Sequence, residues 1–199
     1  MIKNMVNSIS DNKSPVFIIT GEQEEGKTTL LLKIIAYLKD QGVRMQGIAA
    51  PGFFQDGIRS GFDILDIESG ESAELCSVIP AENCEQFGRF FFRKSGLAFG
   101  KNILAQPFLP GQVDLLVIDE VGRFEINGNV WCQSIDLIMN RQHPPMIWTV
   151  RKPFLDAITA KWPVKRLIII KSRHENYDEI IFEIMDEIEK FRTSLIEYI

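Results

Sequence analysis

The chain has 199 residues, 45% hydrophobic and 25% charged, which suits one globular domain spanning 1–199 with enough length to bury a core. No apolar run approaches the ~20 residues that cross a bilayer. Three cysteines without a C-x-x-C pair, and two histidines, speak against a disulfide framework or a structural zinc. The net charge of −5 is uneven: from Glu175 onward 8 acids face 2 bases, leaving 19 of the 27 acids and 20 of the 22 bases for the body. A near-neutral body without a basic stripe predicts no nucleic-acid partner. The polar N-terminus MIKNMVNSISDNKSP has no apolar signal centre, so the expectation is a cytoplasmic protein with no membrane partner.

Taken in chain order, the elements alternate. Val16–Thr20 is a short apolar run that ends at a glycine loop, and it reads as a buried strand. A helix follows over Thr28–Asp40, with Leu31, Leu32, Ile35, Ala36 and Leu38 as its apolar stripe and Gly42 as its stop. Met45–Ala50 reads as a second strand. Asp56-Gly57 between apolar flanks is a hairpin signal, since a type I′ turn needs positive φ at both central residues. A hairpin insertion over about 51–95 is expected, with Ile64–Ile67 continuing as a strand to the turn IESGES and one more strand in FGRFFFRKSG. Leu97–Ala105 reads as a helix, Asp114–Ile118 as a strand, Val130–Arg141 as a helix and Met146–Val150 as a strand. Phe154–Lys161 and Leu167–Ile170 give a further helix and a last strand.

From Tyr177 onward, Ile181, Ile184, Ile188, Phe191 and Leu195 recur every three or four residues among acids, the pattern of an amphipathic helix. Its apolar face either docks on the sheet or joins a second copy, so the chain is expected to be a monomer or a weak homo-oligomer. The fold class expected is α/β, a three-layer arrangement with a mainly parallel sheet, helices on both faces and an inserted β-hairpin region.

The segment Gly21-Glu22-Gln23-Glu24-Glu25-Gly26-Lys27-Thr28, followed by Thr29, fits G-x-x-x-x-G-K-[ST] and has the strand before and helix after that such a loop requires. Glycines let successive N–H groups face one anion, and the following helix adds its positive end. Lys27 then reaches the β- and γ-phosphates, and Thr28 offers its hydroxyl to Mg²⁺. The glutamates are tolerable where side chains turn to solvent. Glu24 is the exception in demand, because that position is expected at positive φ. The acids also weaken the local positive potential.

The second element is Leu115-Leu-Val-Ile-Asp119-Glu120, an apolar strand that ends in two acids. Asp119 is placed to hold Mg²⁺, directly or through water, and Glu120 to polarise a water for attack on the γ-phosphorus. Thr149 and Arg151, at the end of Met146–Val150, are candidates to face the same crevice, Thr149 as a γ-phosphate sensor. Arg59, Arg89, Arg93 and Lys94 are cations that can balance phosphate charge or simply lie on the surface. Phe90–Phe92 read as a stacking face for a base or as core. The paired acids suggest that another strand separates the two motif strands.

GKTTLLLKIIAYLKDQGVRMQGI, GIRSGFDILDI and VDLLVIDEVGRFEI together resemble the THEP family of small P-loop nucleoside triphosphatases, also called cancer-related nucleoside-triphosphatases. The more specific parts are R-x-G-F-D, Arg59 to Asp63, and IDE-V-G-x-x-E, Ile118 to Glu125. IIIKSRHENYDEII resembles the family's closing strand and helix. The resemblance implies Mg²⁺-dependent hydrolysis of nucleoside triphosphates, ATP or GTP with little base selectivity, to diphosphate and phosphate. It carries roles to Lys27, Thr28, Asp119 and Glu120, and marks Arg59 and Glu125 as matching family positions. Glu24-Glu25 and Arg123 depart from the family's usual residues. Two other functions remain open from the residues: a kinase that moves the γ-phosphate to a small acceptor, and a nucleotide-binding module without turnover.

Overall fold

The computed structural model describes residues 14–109, 111–164, 167–172 and 176–196. A ten-stranded sheet runs through them. Its strands are β1 (Val16–Gly21), β2 (Met45–Ala49), β3 (Gly52–Gln55), β4 (Ile58–Asp66), β5 (Ser72–Ser77), β6 (Cys84–Phe87), β7 (Phe90–Arg93), β8 (Leu115–Val121), β9 (Met146–Arg151) and β10 (Leu167–Lys171). The order is β10-β1-β9-β8-β2-β4-β5-β7-β6, with β3 paired to β4. The first five strands of that order are mutually parallel, and the rest extend the sheet antiparallel. β9 lies between β1 and β8, the separating strand that the paired acids suggested.

The helices are α1 (Lys27–Asp40), α2 (Lys94–Ala105), α3 (Arg123–Ile126), α4 (Cys132–Met139), α5 (Leu155–Lys161) and α6 (Tyr177–Ile196). They form two outer layers. On one face Leu31, Ile34 and Leu38 of α1 and Ile184 and Ile188 of α6 pack on Phe17, Ile19 and Val117. On the other, Leu104 of α2, Ile135 of α4 and Ile158 of α5 pack on Ile18, Ile118 and Trp148. Successive side chains of a strand point to opposite faces, so strands covered on both sides become continuous apolar runs. That is why VFII and LLVI read as strands without alternation.

α6 docks on the sheet through its isoleucines, and Arg192 ties it down by hydrogen-bonding Asp114 at 2.8 Å. Of the two placements expected for this helix, docking on the sheet is the one observed. The Asp56-Gly57 turn has φ of 52° and 75°, as a type I′ hairpin needs.

Four elements differ from their sequence expectations. FGRFFFRKSG contributes to a hairpin of two strands, β6 and β7, because Cys84–Phe87 is a polar, half-exposed edge strand with no apolar alternation to announce it. α2 begins at Lys94, three residues before Leu97. Gly96 lets the helix approach the β5 backbone so closely that a Cβ there would strike the Glu74 carbonyl. The single helix expected over Val130–Arg141 is shorter, with α3 as a separate turn before it. In place of a helix from Phe154, a 3₁₀ turn at Lys152–Phe154 leads into α5. The resemblance in IIIKSRHENYDEII runs across residues 173–175, which lie outside the described residues.

Candidate active site

β1 delivers a buried apolar strand to the loop, and α1 starts at Lys27. Between them the chain must turn back on itself. Glu24 and Gly26 supply the left-handed residues, at φ 64° and 80°. For Gly26 this conformation costs nothing steric, whereas a non-glycine residue such as Glu24 gives up about 1–2 kcal/mol. The expected positive φ at Glu24 is therefore met, at the cost of strain. Glu22, Gln23 and Glu24 are exposed. Glu25 folds back, and its carboxylate accepts the Glu22 N–H at 2.7 Å. Lys27, only 5% exposed, donates from Nζ to the Glu22 carbonyl at 2.7 Å. A cavity of about 330 Å³ opens over the loop, lined by Glu24, Gly26, Lys27, Thr28, Thr29 and Glu120 among others, but by neither Glu22 nor Glu25. The loop leaves room for an anion, with Glu24 the one loop acid on the cavity wall.

β8 brings the strand tip to this loop. Asp119 is fully buried. One carboxylate oxygen accepts the Ala50 N–H at 2.9 Å; the other accepts the Thr149 hydroxyl and the Glu120 N–H at 3.0 Å, with the Thr28 hydroxyl at 3.4 Å. The last contact joins the two motif segments across 91 residues of sequence. Thr28 and Asp119 together offer hard oxygen donors with a single carboxylate, a set suited to Mg²⁺, which keeps several waters and takes few protein ligands.

Glu120 owes its position to a β-bulge. Ile118 pairs with Trp148 and Val121 with Val150, so Asp119 and Glu120 together oppose Thr149 alone. Glu120 sits at φ 56°, its N–H anchored on the Thr149 hydroxyl at 2.8 Å. A bulge re-aims the side chain it carries, and such strain collects at functional sites. Burial first, and then the charge of Asp119, raise the proton affinity of Glu120 against the opposing pull of Arg151, Lys27 and Arg59. Burial likewise lowers the pKa of Lys27, although Glu120 and Asp119 act the other way.

The remaining candidates fall at different distances from this centre. Thr149 does not line the phosphate cavity; its hydroxyl is spent between Asp119 and Glu120, because β9 lies directly beside β8. The hydroxyl thus lies between the two acids of the strand tip, not on the cavity wall where a γ-phosphate sensor was expected. Arg151 donates to Gln23 at 3.2 Å and so leans over the loop. Arg59 lines the phosphate cavity from β4, its guanidinium stacked on Phe54 and Phe62. Glu125 is buried, and accepts the N–H groups of Gly122 at 2.8 Å and Trp131 at 3.3 Å. It braces the segment after β8 and makes no contact with the loop; burial pushes its carboxyl up to about 7. Arg93 is held by Glu74 at 2.9 Å, while Arg89 lines a second cavity beside Glu120. The Ala50 amide was not legible in sequence, since a backbone donor carries no residue signature.

Comparisons with known proteins bear on the family and the fold. The model of a family described as NTPase matches residues 16–185. The nucleoside-triphosphatase THEP1 of Archaeoglobus fulgidus is 29% identical over 175 residues, covering 84% of this chain and 97% of that protein. Its counterpart from Pyrococcus abyssi is 26% identical over 177 residues, covering 87% and 92%. The solution structure of a human cancer-related nucleoside triphosphatase aligns with a TM-score of 0.64 at 20% identity, over 90% of this chain and 98% of that one. The crystal structure of THEP1 from Aquifex aeolicus gives the same TM-score at 23% identity, over 87% and 99%. These two likenesses show a common three-layer P-loop fold. No helix among the described residues is long and apolar enough to cross a membrane. Because the family model spans most of the chain and takes in both the loop and the strand tip, the protein belongs to the NTPase family.

Proposed function

We propose that this chain hydrolyses nucleoside 5′-triphosphates, ATP or GTP with little base selectivity, to diphosphate and phosphate, with Mg²⁺ as cofactor and residues 1–199 acting as one P-loop domain. The observation that carries the reading is the contact of Thr28 with Asp119, which brings the anion-binding loop and the acidic strand tip to one point. Loop amides and the α1 N-terminus hold the phosphates. Lys27 uses one of its three N–H donors on the Glu22 carbonyl, leaving two for β- and γ-oxygens. Thr28 and Asp119 hold the metal, which when bound adds positive charge at the phosphate oxygens.

Glu120 orients the attacking water and takes its proton as the new bond to phosphorus forms and the bond to the bridging oxygen breaks. A carboxylate with raised proton affinity is better matched to that task near neutrality. The Glu25–Glu22 hydrogen bond holds one acid back from the cavity, whereas Glu24 lines it, so an anion is held at reduced affinity relative to a glycine-rich loop.

The test is phosphate release from ATP and GTP with Mg²⁺ by wild type and Lys27→Ala. Loss of roughly 10²–10³-fold in the variant is expected, as for removal of a buried charge-stabilising donor. Equal release by both proteins would remove the assignment.

A further inference from the structure

Hydrolysis leaves the larger cavity without a use. A water molecule occupies roughly 30 Å³, whereas the space beside Glu120 holds about 580 Å³. That falls within the ~300–1,000 Å³ typical of small-molecule sites. Arg59 and Glu120 form walls of both this cavity and the phosphate cavity, and the phosphate loop reaches it through Gln23. Glu120 is the group assigned to the nucleophile, and a nucleophile in phosphoryl transfer stands opposite the leaving oxygen. Whatever fills the larger cavity therefore lies at the γ-phosphoryl end of a bound triphosphate.

Its walls combine two chemistries. Phe87, Phe92 and Phe124 interlock as a trio and Phe62 pairs with Phe90, with ring centroids 5.3–5.7 Å apart. Around them stand Arg59, Arg89, Arg123 and Arg151. Among the described residues none of these four guanidinium groups is in an ion pair. Arg59 stacks 5.0 Å from the Phe62 centroid and Arg89 4.9 Å from that of Phe90, and the buried Nε of Arg59 has no hydrogen-bond partner. The acids on the wall are Glu120 and Glu125, and Glu125 is engaged by the Gly122 and Trp131 amides. Aromatic faces take a planar ring, and guanidinium forks take a phosphate in bidentate fashion.

We propose that this cavity is an acceptor site for a nucleoside monophosphate, with the base among the phenylalanines and the phosphate on the arginines, so that the chain transfers the γ-phosphoryl group as well as releasing it to water. The proposal rests on the phosphate-loop reading given above. In the step an oxygen of the acceptor's monophosphate forms a bond to the γ-phosphorus while the bond from that phosphorus to the bridging oxygen breaks. The electron pair leaves on the donor diphosphate, nothing is oxidised or reduced, and a fully ionised acceptor loses no proton. The products are two nucleoside diphosphates.

The experiment titrates AMP, GMP, CMP and UMP into protein already saturated with Mg²⁺ and a non-hydrolysable ATP or GTP analogue, so that the phosphate loop is filled. At least one monophosphate binds with one site per chain, and with ATP in place of the analogue that monophosphate is converted to its diphosphate. The double variant Arg89→Ala/Arg123→Ala changes two exposed residues that do not line the phosphate cavity. It lowers monophosphate affinity at least ~10-fold, as expected for lost charge-assisted hydrogen bonds, with analogue affinity kept within about twofold. No monophosphate binding to analogue-loaded protein, binding that the double variant leaves unchanged, or binding without diphosphate formation each overturns the acceptor site while the phosphate-loop reading stands. Failure of both analogues to bind overturns that reading and the acceptor site with it.

Discussion

The two halves of the sheet build their sites from different materials. The parallel half, β10-β1-β9-β8-β2, has central strands buried on both faces, and its site joins backbone groups, the loop amides, a helix start, a bulge and the Ala50 N–H, to the polar side chains of Lys27, Thr28, Asp119 and Glu120. The antiparallel half is partly exposed along β3, β6 and β7, and what it lends to the cavity beside Glu120 is side chains, phenylalanine rings and guanidinium groups. Backbone donors fixed by buried strands cannot be retuned by single substitutions, which suits the invariant part of a substrate, its phosphates. Side chains on a half-exposed extension vary freely, which suits the part that differs between ligands.

That contrast makes substitutions in the two halves separable. Glu120→Gln, which keeps size and removes the base, is expected to lower phosphate release about 100-fold or more while triphosphate affinity, read by titration with a non-hydrolysable analogue, stays within a few-fold. A parallel loss of affinity would mean that Glu120 holds the substrate and does not activate water.

The next effect lies at the seam between the halves. Glu125 is buried with its carboxyl pushed up to about 7, above the ordinary value of 4.5, by burial that outweighs its backbone hydrogen bonds. A raised folded-state pKa means that the native state binds the extra proton. Its contribution is fully present below about 4.5 and is lost as pH rises through about 7. Denaturant titration from pH 5 to 8 should therefore show a stability slope, of order 2–3 kcal/mol in total, that Glu125→Gln flattens. An unchanged slope in the variant would assign the pH dependence to another group.

The opposite sign holds at Asp114. Burial would raise its carboxyl, but hydrogen bonds from Arg192 and Arg44 outweigh that and hold it well below the usual carboxylate range. Its stabilising contribution is present above about pH 4 and is lost as the pH falls further. Asp114→Asn should cost about 1–2 kcal/mol at neutral pH by loss of charge-assisted hydrogen bonds, measured by thermal unfolding, with phosphate release at 25 °C unaltered. An activity loss matching that of Glu120→Gln would break the separation between fold support and chemistry.

The smallest effect is at the loop. Glu24→Gly removes a negative charge and a strained left-handed residue, and is expected to tighten triphosphate binding about 3–10-fold, with little change in Tm because glycine also loosens the unfolded chain. Weaker binding would show that the Glu24 side chain assists the nucleotide.

The same contrast explains what was legible in sequence. Gly21–Thr29 is contiguous, so its spacing announces both its conformation and its chemistry, down to the positive φ at Glu24. Asp119-Glu120 announces a strand end, but the bulge that aims Glu120 depends on register with β9, which no local pattern encodes. Thr149 was near enough to be suspected, yet its hydroxyl turns sideways to Asp119 because of strand order alone. The larger cavity draws on Phe90 and Phe92, which the sequence offered as a base-stacking face or as core, and on Phe62 and Phe124, each of which by itself reads as an ordinary core residue. Convergence of distant side chains is a property of topology, and sequence spacing carries little of it.

The central claim is that the loop and the strand tip serve one triphosphate–metal complex. A crystal structure with Mg²⁺ and a non-hydrolysable triphosphate tests it directly. The account predicts the γ-phosphate within hydrogen-bond reach of Lys27 and the metal on the Thr28 hydroxyl, with Asp119 beside it directly or through one water. A triphosphate seated wholly among the phenylalanines, or a metal bound away from Thr28 and Asp119, would contradict it.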